Sequence, residues 1–330
     1  MKINFYSSQP YDITFFEKVN EEYQHELEFH DYALNQDTVE LVNDVSCICV
    51  FVNDKLTETV LQKLYSKGVR LIALRCAGFN NIDVVAADML GITVVRVPAY
   101  SPESIAEHAV GLMLSLSRHI HRAYNRVRES NFSLNGLLGF ELHHATVGIV
   151  GTGQIGTALA KILTGFGAKV IAYDPRASEE CISLGVDYVN FDDLCRRSDV
   201  ISLHCPLTPE THHLINRDNL EKMKHGVMLI NTSRGAVIDT EAVIDYLKNK
   251  HIGYLGLDVY EQEENLFFQD LSDQIISDDL FERLLTFPNV LITGHQAFFT
   301  DSALTNIADT TLKNITRFEK NAPCLHCCHV

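Results

Sequence analysis

The segment from Thr146 to Asp174 constrains the fold of this chain more than any other. Residues 146–150, Thr-Val-Gly-Ile-Val, read as a buried strand that runs directly into Gly151-Thr-Gly153-Gln-Ile-Gly156. A helix is expected over 157–166, with Ala158, Leu159, Ile162 and Leu163 as its apolar face. A second strand over 169–173 then ends at Asp174. Gly-x-Gly-x-x-Gly alone is a weak signal, but here a strand precedes it, a helix follows, and an acid stands 23 residues past Gly151. Each part then has a task. Gly151 permits the tight turn, Gly153 lets the backbone approach a pyrophosphate, and Gly156 lets the helix pack on the strand. The amides of Gln154 and Ile155, at the positive end of the helix, face the phosphates. Asp174 can accept from both ribose hydroxyls of adenosine and repels a 2′-phosphate, so NAD is expected rather than NADP. A loop that merely needs glycines leaves Asp174 unexplained.

The same β-α alternation runs along the whole chain. Residues 3–6 open as a strand, and 47–52, 71–74 and 94–97 are apolar runs of the kind buried on both faces of a parallel sheet. Helical stretches at 56–66 and 83–90 lie between them. One long helix is expected over 102–129, with Ser101 as N-cap and Pro102 at the first helical position. Ser104 stands where a full capping box would need Glu or Gln. A polar stretch, 131–144, precedes the second β-α series. The fold class is therefore α/β, with two doubly wound parallel-sheet domains over about 1–100 and 101–298.

Charge and composition narrow the partners. The net charge of −16 disfavours phosphate backbones and anionic headgroups, so neither nucleic acid nor a membrane surface is expected as partner. A site for a small anion must carry positive charge of its own. No apolar run reaches the roughly 18 residues of a spanning helix. The N-terminus lacks the apolar core of a secretory signal, which points to the cytoplasm. Of nine cysteines, Cys47, Cys49, Cys76, Cys181, Cys195 and Cys205 read as buried thiols, in keeping with a reduced compartment. The tail, with Cys324, His326, Cys327, Cys328 and His329, has zinc-ligand types but no matching second pair; it reads as a solvated tail that frays, and no metal is expected.

Four more strands of the second series end in polar residues: His204-Cys205-Pro206, Thr232-Ser233-Arg234-Gly235, Asp258 with the Val-Tyr-Glu-Gln-Glu263 that follows, and Gly294-His295. Ligands of open parallel sheets sit beyond the carboxyl ends of the strands, so Cys205, Pro206, Thr232, Arg234, Asp258, Glu263 and His295 should line one crevice. Reducing a 2-oxo acid needs a guanidinium fork for the carboxylate, a proton donor that titrates near neutrality, and a carboxylate to orient that donor. Arg234, His295 and Glu263 are those residue types. Taken singly, Arg234 is a solvated cap, His295 a structural histidine, and Glu263 part of an acidic loop in which Glu261 and Glu264 are rivals. Convergence on one sheet edge favours the chemical reading.

These stretches, with Leu74-Arg-Cys-Ala-Gly-Phe-Asn-Asn-Ile-Asp83, Val95-Arg-Val-Pro-Ala-Tyr100 and Gly294-His-Gln-Ala-Phe298, resemble the D-isomer-specific 2-hydroxyacid dehydrogenases over the whole chain, and within them the bacterial fermentative D-lactate type. The chain has Glu263-Glu264 where many relatives have Glu-Pro. The resemblance implies a flavodoxin-like substrate domain completed by 299–330, with a returning helix over about 301–319, and a Rossmann domain for NAD. It implies that amides around Ala77 and Gly78 help hold the substrate carboxylate, that Tyr100 and Phe299 border a small C2 substituent, and that Thr211, Thr232, Ser233 and Arg234 lie near the cofactor. It implies pyruvate and D-lactate as substrate and product, and a homodimer or homotetramer built partly on the 102–129 helix. A broader dehydrogenase for bulkier 2-oxo acids, or a nucleotide-sensing corepressor-like protein, are the alternatives.

Overall fold

The computed structural model describes residues 1–328; His329 of the tail lies outside the described residues. The chain divides into two compact units, Met1–Ser101 with Phe299–Val330, and Pro102–Phe298.

The first unit holds a five-stranded sheet of β1 (Lys2–Phe5), β2 (Glu26–Phe29), β3 (Cys47–Val50), β4 (Leu71–Leu74) and β5 (Thr93–Arg96), in the order β2-β1-β3-β4-β5. Every neighbouring pair is parallel, and this is the flavodoxin-like order. β3 and β4 are buried at every position, as their uninterrupted apolar runs require. β2 was not legible as a strand: its Glu-Leu-Glu-Phe alternates between exposed and half-buried at the sheet edge. The helix Asp301–Glu319 returns to this unit and packs on the helix Pro10–Tyr23 and on β4, burying Ala303, Leu304, Ile307 and Leu312.

The second unit holds β6 (Thr146–Val150), β7 (Lys169–Tyr173), β8 (Asp187–Tyr188), β9 (Val200–Leu203), β10 (Val227–Asn231), β11 (Ile252–Leu257) and β12 (Val290–Ile292). Their order is β12-β11-β10-β9-β6-β7-β8, all parallel. This is a Rossmann sheet with its order reversing between β6 and β9. One core layer packs the sheet against Leu194, Leu220, Val243 and Leu284; the other packs it against Ala109, Leu112, Leu159 and Leu163.

Two expectations are corrected. The single helix over 102–129 is two, Pro102–Ser117 and Ile120–Arg128. His119 between them is left-handed, with φ 52°, and the Ser117 carbonyl accepts from Phe140 N–H at 3.3 Å. No glycine or proline marks that break, because a distant segment makes it. The tail, expected to fray, instead lies along the open edge of β5. Arg96 N–H donates to His326 O at 3.1 Å and Cys328 N–H to Val94 O at 2.9 Å. Unpaired edge groups attract a passing strand. Cys324 and Cys327 form a disulfide, which a reduced setting does not anticipate, whereas Cys47, Cys49, Cys76, Cys181, Cys195 and Cys205 are buried free thiols. No described helix is long and apolar enough to cross a membrane.

Candidate active site

Because the strands of the second unit are parallel, their carboxyl ends share one edge, and the loops that leave it bear the candidate residues. The fingerprint loop follows β6. Its helix, Gln154–Gly165, starts one turn before the sequence pattern suggests, with Gly153 as N-cap. Gly151 has φ +94°, and a Cβ there would lie 2.8 Å from Cys205 N and from His204 C and O. A Cβ on Gly156 would lie 2.0 Å from Gly151 O, so only glycine lets this helix approach the loop. Gly153 has open space on its Cβ side. Thr152, Gly153, Gln154, Thr157 and Lys161 line a cavity of ≈ 490 Å³ at the helix N-terminus.

Asp174 ends β7 beside this loop. Its carboxylate accepts from Thr152 N–H at 2.6 Å and from Arg176 N–H at 2.8 Å, which fixes its orientation while leaving lone pairs for further donors. After β9, Thr211 Oγ1 donates to Pro206 O at 2.6 Å and closes the turn. Burial pushes the Cys205 thiol up to about 11, so it is a neutral wall of the loop. Past β10, Thr232 Oγ1 is buried without a partner among the described residues. A buried hydroxyl in want of a partner at the sheet edge, together with the open face of Gly153, fits a dinucleotide that would supply contacts to both.

Arg234 follows β10. The buried Asn231 side chain organises this turn: its Oδ1 accepts from Ser233 N–H and Ser233 Oγ, at 3.0 and 2.8 Å, and its Nδ2 donates to Arg234 O at 2.9 Å. Arg234 Nη1 donates to Ser233 O at 2.6 Å. The next residue, Gly235, presses on the loop after β11, where a Cβ would lie 2.1 Å from Tyr260 C and O. The turn bearing Arg234 and the loop bearing Glu263 are thus in backbone contact.

Glu263 and His295 are brought together. His295 Nδ1 lies 2.8 Å from Glu263 Oε1, while Glu263 Oε2 accepts from Tyr260 N–H at 2.8 Å. Both carboxylate oxygens are therefore committed, and the other ring nitrogen of His295 points away from the pair. His295 is left-handed, φ 53°, and its N–H donates to Asp258 O at 2.7 Å. Of the rival acids, Glu261 turns instead to His213, at 2.5 Å, and Thr240, at 2.8 Å; Glu264 is exposed.

Asp258 is completely buried. Its carboxylate accepts from Thr293 Oγ1 at 2.5 Å and from Gln296 and Ala297 N–H at 2.9 Å each, and His108 Nε2 lies 3.3 Å away. Burial opposes its charge, but these donors outweigh it and hold the carboxyl below its ordinary range. Its protein partners all belong to, or brace, the loop that carries His295. His108, Thr293 and Asn231 are the residues of this site that sequence reasoning missed; nothing in their local pattern separates them from ordinary helix and strand-end polar residues.

In the first unit, Ala77 and Gly78 lie on the loop after β4. Arg96 Nη1 donates to Ala77 O at 2.7 Å, and Cys76 Sγ lies 3.2 Å from Gly78 O. Tyr100 O accepts from Asn306 at 2.7 Å, and the Phe299 ring meets the Tyr11 ring edge-on at 4.8 Å.

A sequence profile described as the D-isomer specific 2-hydroxyacid dehydrogenase, NAD binding domain, matches residues 110–297. D-lactate dehydrogenase of Escherichia coli strain K12 is 53% identical over 324 residues, 98% of each chain. The chain belongs to the D-isomer specific 2-hydroxyacid dehydrogenase family. The apo-structure of D-lactate dehydrogenase from Escherichia coli superposes with a TM-score of 0.91 at 50% identity, covering 100% of both chains. D-lactate dehydrogenase from Aquifex aeolicus, complexed with NAD and lactic acid, gives 0.86 at 37% identity over 97% of this chain and 96% of that one. This dehydrogenase is accordingly an NAD-dependent oxidoreductase of 2-hydroxy acids.

The contact at Gly235 gives a test of how the site is held. Gly235→Ala should force the Arg234 turn off the Tyr260–Glu261 backbone and lower kcat/KM by about 10²-fold, the scale of a 1 Å misplacement. Steady-state kinetics near those of the parent enzyme would show that this contact does not position the turn.

Proposed function

We propose that this dehydrogenase reduces pyruvate to D-lactate reversibly. The observation that carries the proposal is the His295–Glu263 pair, 2.8 Å apart, held at the sheet edge that also bears Arg234. Bound NADH supplies the hydride that C2 receives. Arg234 grips the substrate carboxylate through two parallel N–H donors, which a lysine cannot imitate. His295 donates its proton to the oxygen on C2 as that oxygen gains charge, and takes it back in the reverse direction. Glu263, anchored by Tyr260 N–H, orients the ring for that transfer. Amides around Ala77 and Gly78 complete the grip on the carboxylate, and Tyr100 and Phe299 limit the C2 substituent to a small one. Asp174 selects NAD, and Gly151, Gly153, Gln154, Ile155, Gly156, Cys205, Pro206, Thr211, Thr232 and Ser233 form the walls of its site, with the buried Asp258 bracing the loop beside it.

Self-association into a homodimer or homotetramer belongs to the same proposal. Ile120, Tyr124, Val127, Phe132, Leu134 and Leu138 are all exposed along one stretch of chain, and self-association would cover them.

With NADH and pyruvate the enzyme should consume NADH, seen as loss of absorbance, and the lactate formed should elute as the D isomer on a chiral column. L-lactate, or no turnover of any 2-oxo acid, would defeat the proposal; faster turnover of phenylpyruvate would favour the broader specificity. Arg234→Lys should lose roughly 3 kcal/mol of transition-state stabilisation in kcat/KM for pyruvate. NADH affinity, followed by fluorescence, should change little. A kcat/KM within a few-fold of the parent would remove Arg234 from carboxylate binding.

A further inference from the structure

Glu261 is an acid of the β11 loop that the proposed chemistry leaves unused, and its surroundings are those of a metal ligand. Its carboxylate stands with two consecutive histidines, His212 and His213, and one ligand atom from each of the three falls within 4.8 Å of the others. The two imidazoles stack with ring centroids 4.1 Å apart, so the two side chains lie side by side. The backbone makes that possible: His213 is left-handed, φ 50°, and its N–H is tied to Ala236 O at 2.8 Å. Glu261 is held from behind, since its Oε2 accepts from Thr240 Oγ1 at 2.8 Å while Oε1 faces His213 Nε2 at 2.5 Å. A carboxylate with one oxygen fixed by a neighbouring hydroxyl and the other turned toward imidazoles has the outer-shell support found around metal ligands.

We infer that His212, His213 and Glu261 form a binding site for a divalent transition-metal ion of the zinc type. Two imidazole nitrogens and a carboxylate oxygen suit zinc, cobalt or nickel and disfavour the all-oxygen preference of magnesium and calcium. Bonds of about 2.0–2.1 Å in a tetrahedron keep ligand atoms about 3.3 Å apart, so the ion needs His213 and Glu261 to part by less than about 1 Å and His212 to close in. His212 is exposed, so the fourth position opens to solvent and the ion exchanges freely. The site would join the turn after β9 to the loop after β11, two residues before Glu263.

Cobalt(II) titration of the desalted, chelator-treated enzyme tests this, because cobalt spectra separate nitrogen and oxygen ligands from thiolate. The expected result is saturable binding of a single cobalt ion per chain, with visible d–d bands and no thiolate charge-transfer band. His212→Ala changes an exposed side chain and should weaken that binding at least about 10-fold, as loss of a ligand does. Cys328→Ser, in the tail, should leave it unchanged. The inference fails if no saturable binding occurs below about 1 mM, if His212→Ala binds cobalt as the parent does, or if the spectrum carries a thiolate band that Cys328→Ser removes.

Discussion

The buried carboxylate of Asp258 is the constraint on which the arrangement of the candidate site depends. A fully buried carboxylate is costly unless its oxygens are satisfied, and here a hydroxyl, two backbone amides and a histidine surround it. Those donors come from residues 293–297 and from His108 on the helix Pro102–Ser117. The same residue's carbonyl takes the N–H of His295, which sits in a left-handed conformation that an L-residue adopts only at a cost of about 1–3 kcal/mol. Removing the Asp258 charge would therefore release both the loop and the strained residue at its centre.

From that anchor the site builds outward by strand adjacency. β10, β11 and β12 are neighbours in the sheet, and each delivers one residue of the proposed chemistry: Arg234, Glu263 and His295. The three loops are cross-tied. Asp258, at the end of β11, holds the loop after β12; Tyr260 N–H holds Glu263; and Gly235 rests on the Tyr260–Glu261 backbone. Precision at such a site comes from these backbone ties rather than from the side chains that would touch substrate. On the other side of the switch between β6 and β9, glycines do the equivalent work, Gly151 against His204–Cys205 and Gly156 against Gly151.

What could be read from the sequence and what could not follows from this division. The fingerprint, the strand runs and the residues just past them were legible because apolar runs such as Cys47–Val50 and Val227–Asn231 are buried on both faces and leave a continuous signal. The parallel order of the strands turned that list of polar ends into one edge. Features made by distant segments were not legible. The break at His119 depends on Phe140 crossing the end of a helix; the seating of the tail depends on the free edge of β5. Asp258 is legible as a polar residue at a strand end, while its bonds to Thr293, Gln296 and Ala297 become visible only once β11 and β12 pair. Two acids two residues apart, Glu261 and Glu263, look alike in sequence and face different histidines in the fold.

Glu263 is proposed to orient His295 for proton transfer, 2.8 Å from its Nδ1, and the kinetics of Glu263→Gln in both directions of the reaction test this most directly. Reduction needs the ring to give a proton to the oxygen on C2, and oxidation needs it to take that proton back. Glutamine keeps much of the shape of Glu263 but not the two acceptor oxygens that hold the ring and the Tyr260 N–H together. The kcat/KM values for reduction of pyruvate and for oxidation of D-lactate should both fall, by on the order of 10²-fold, while NADH affinity changes little. If both stay within a few-fold of the parent enzyme, Glu263 does not act on His295.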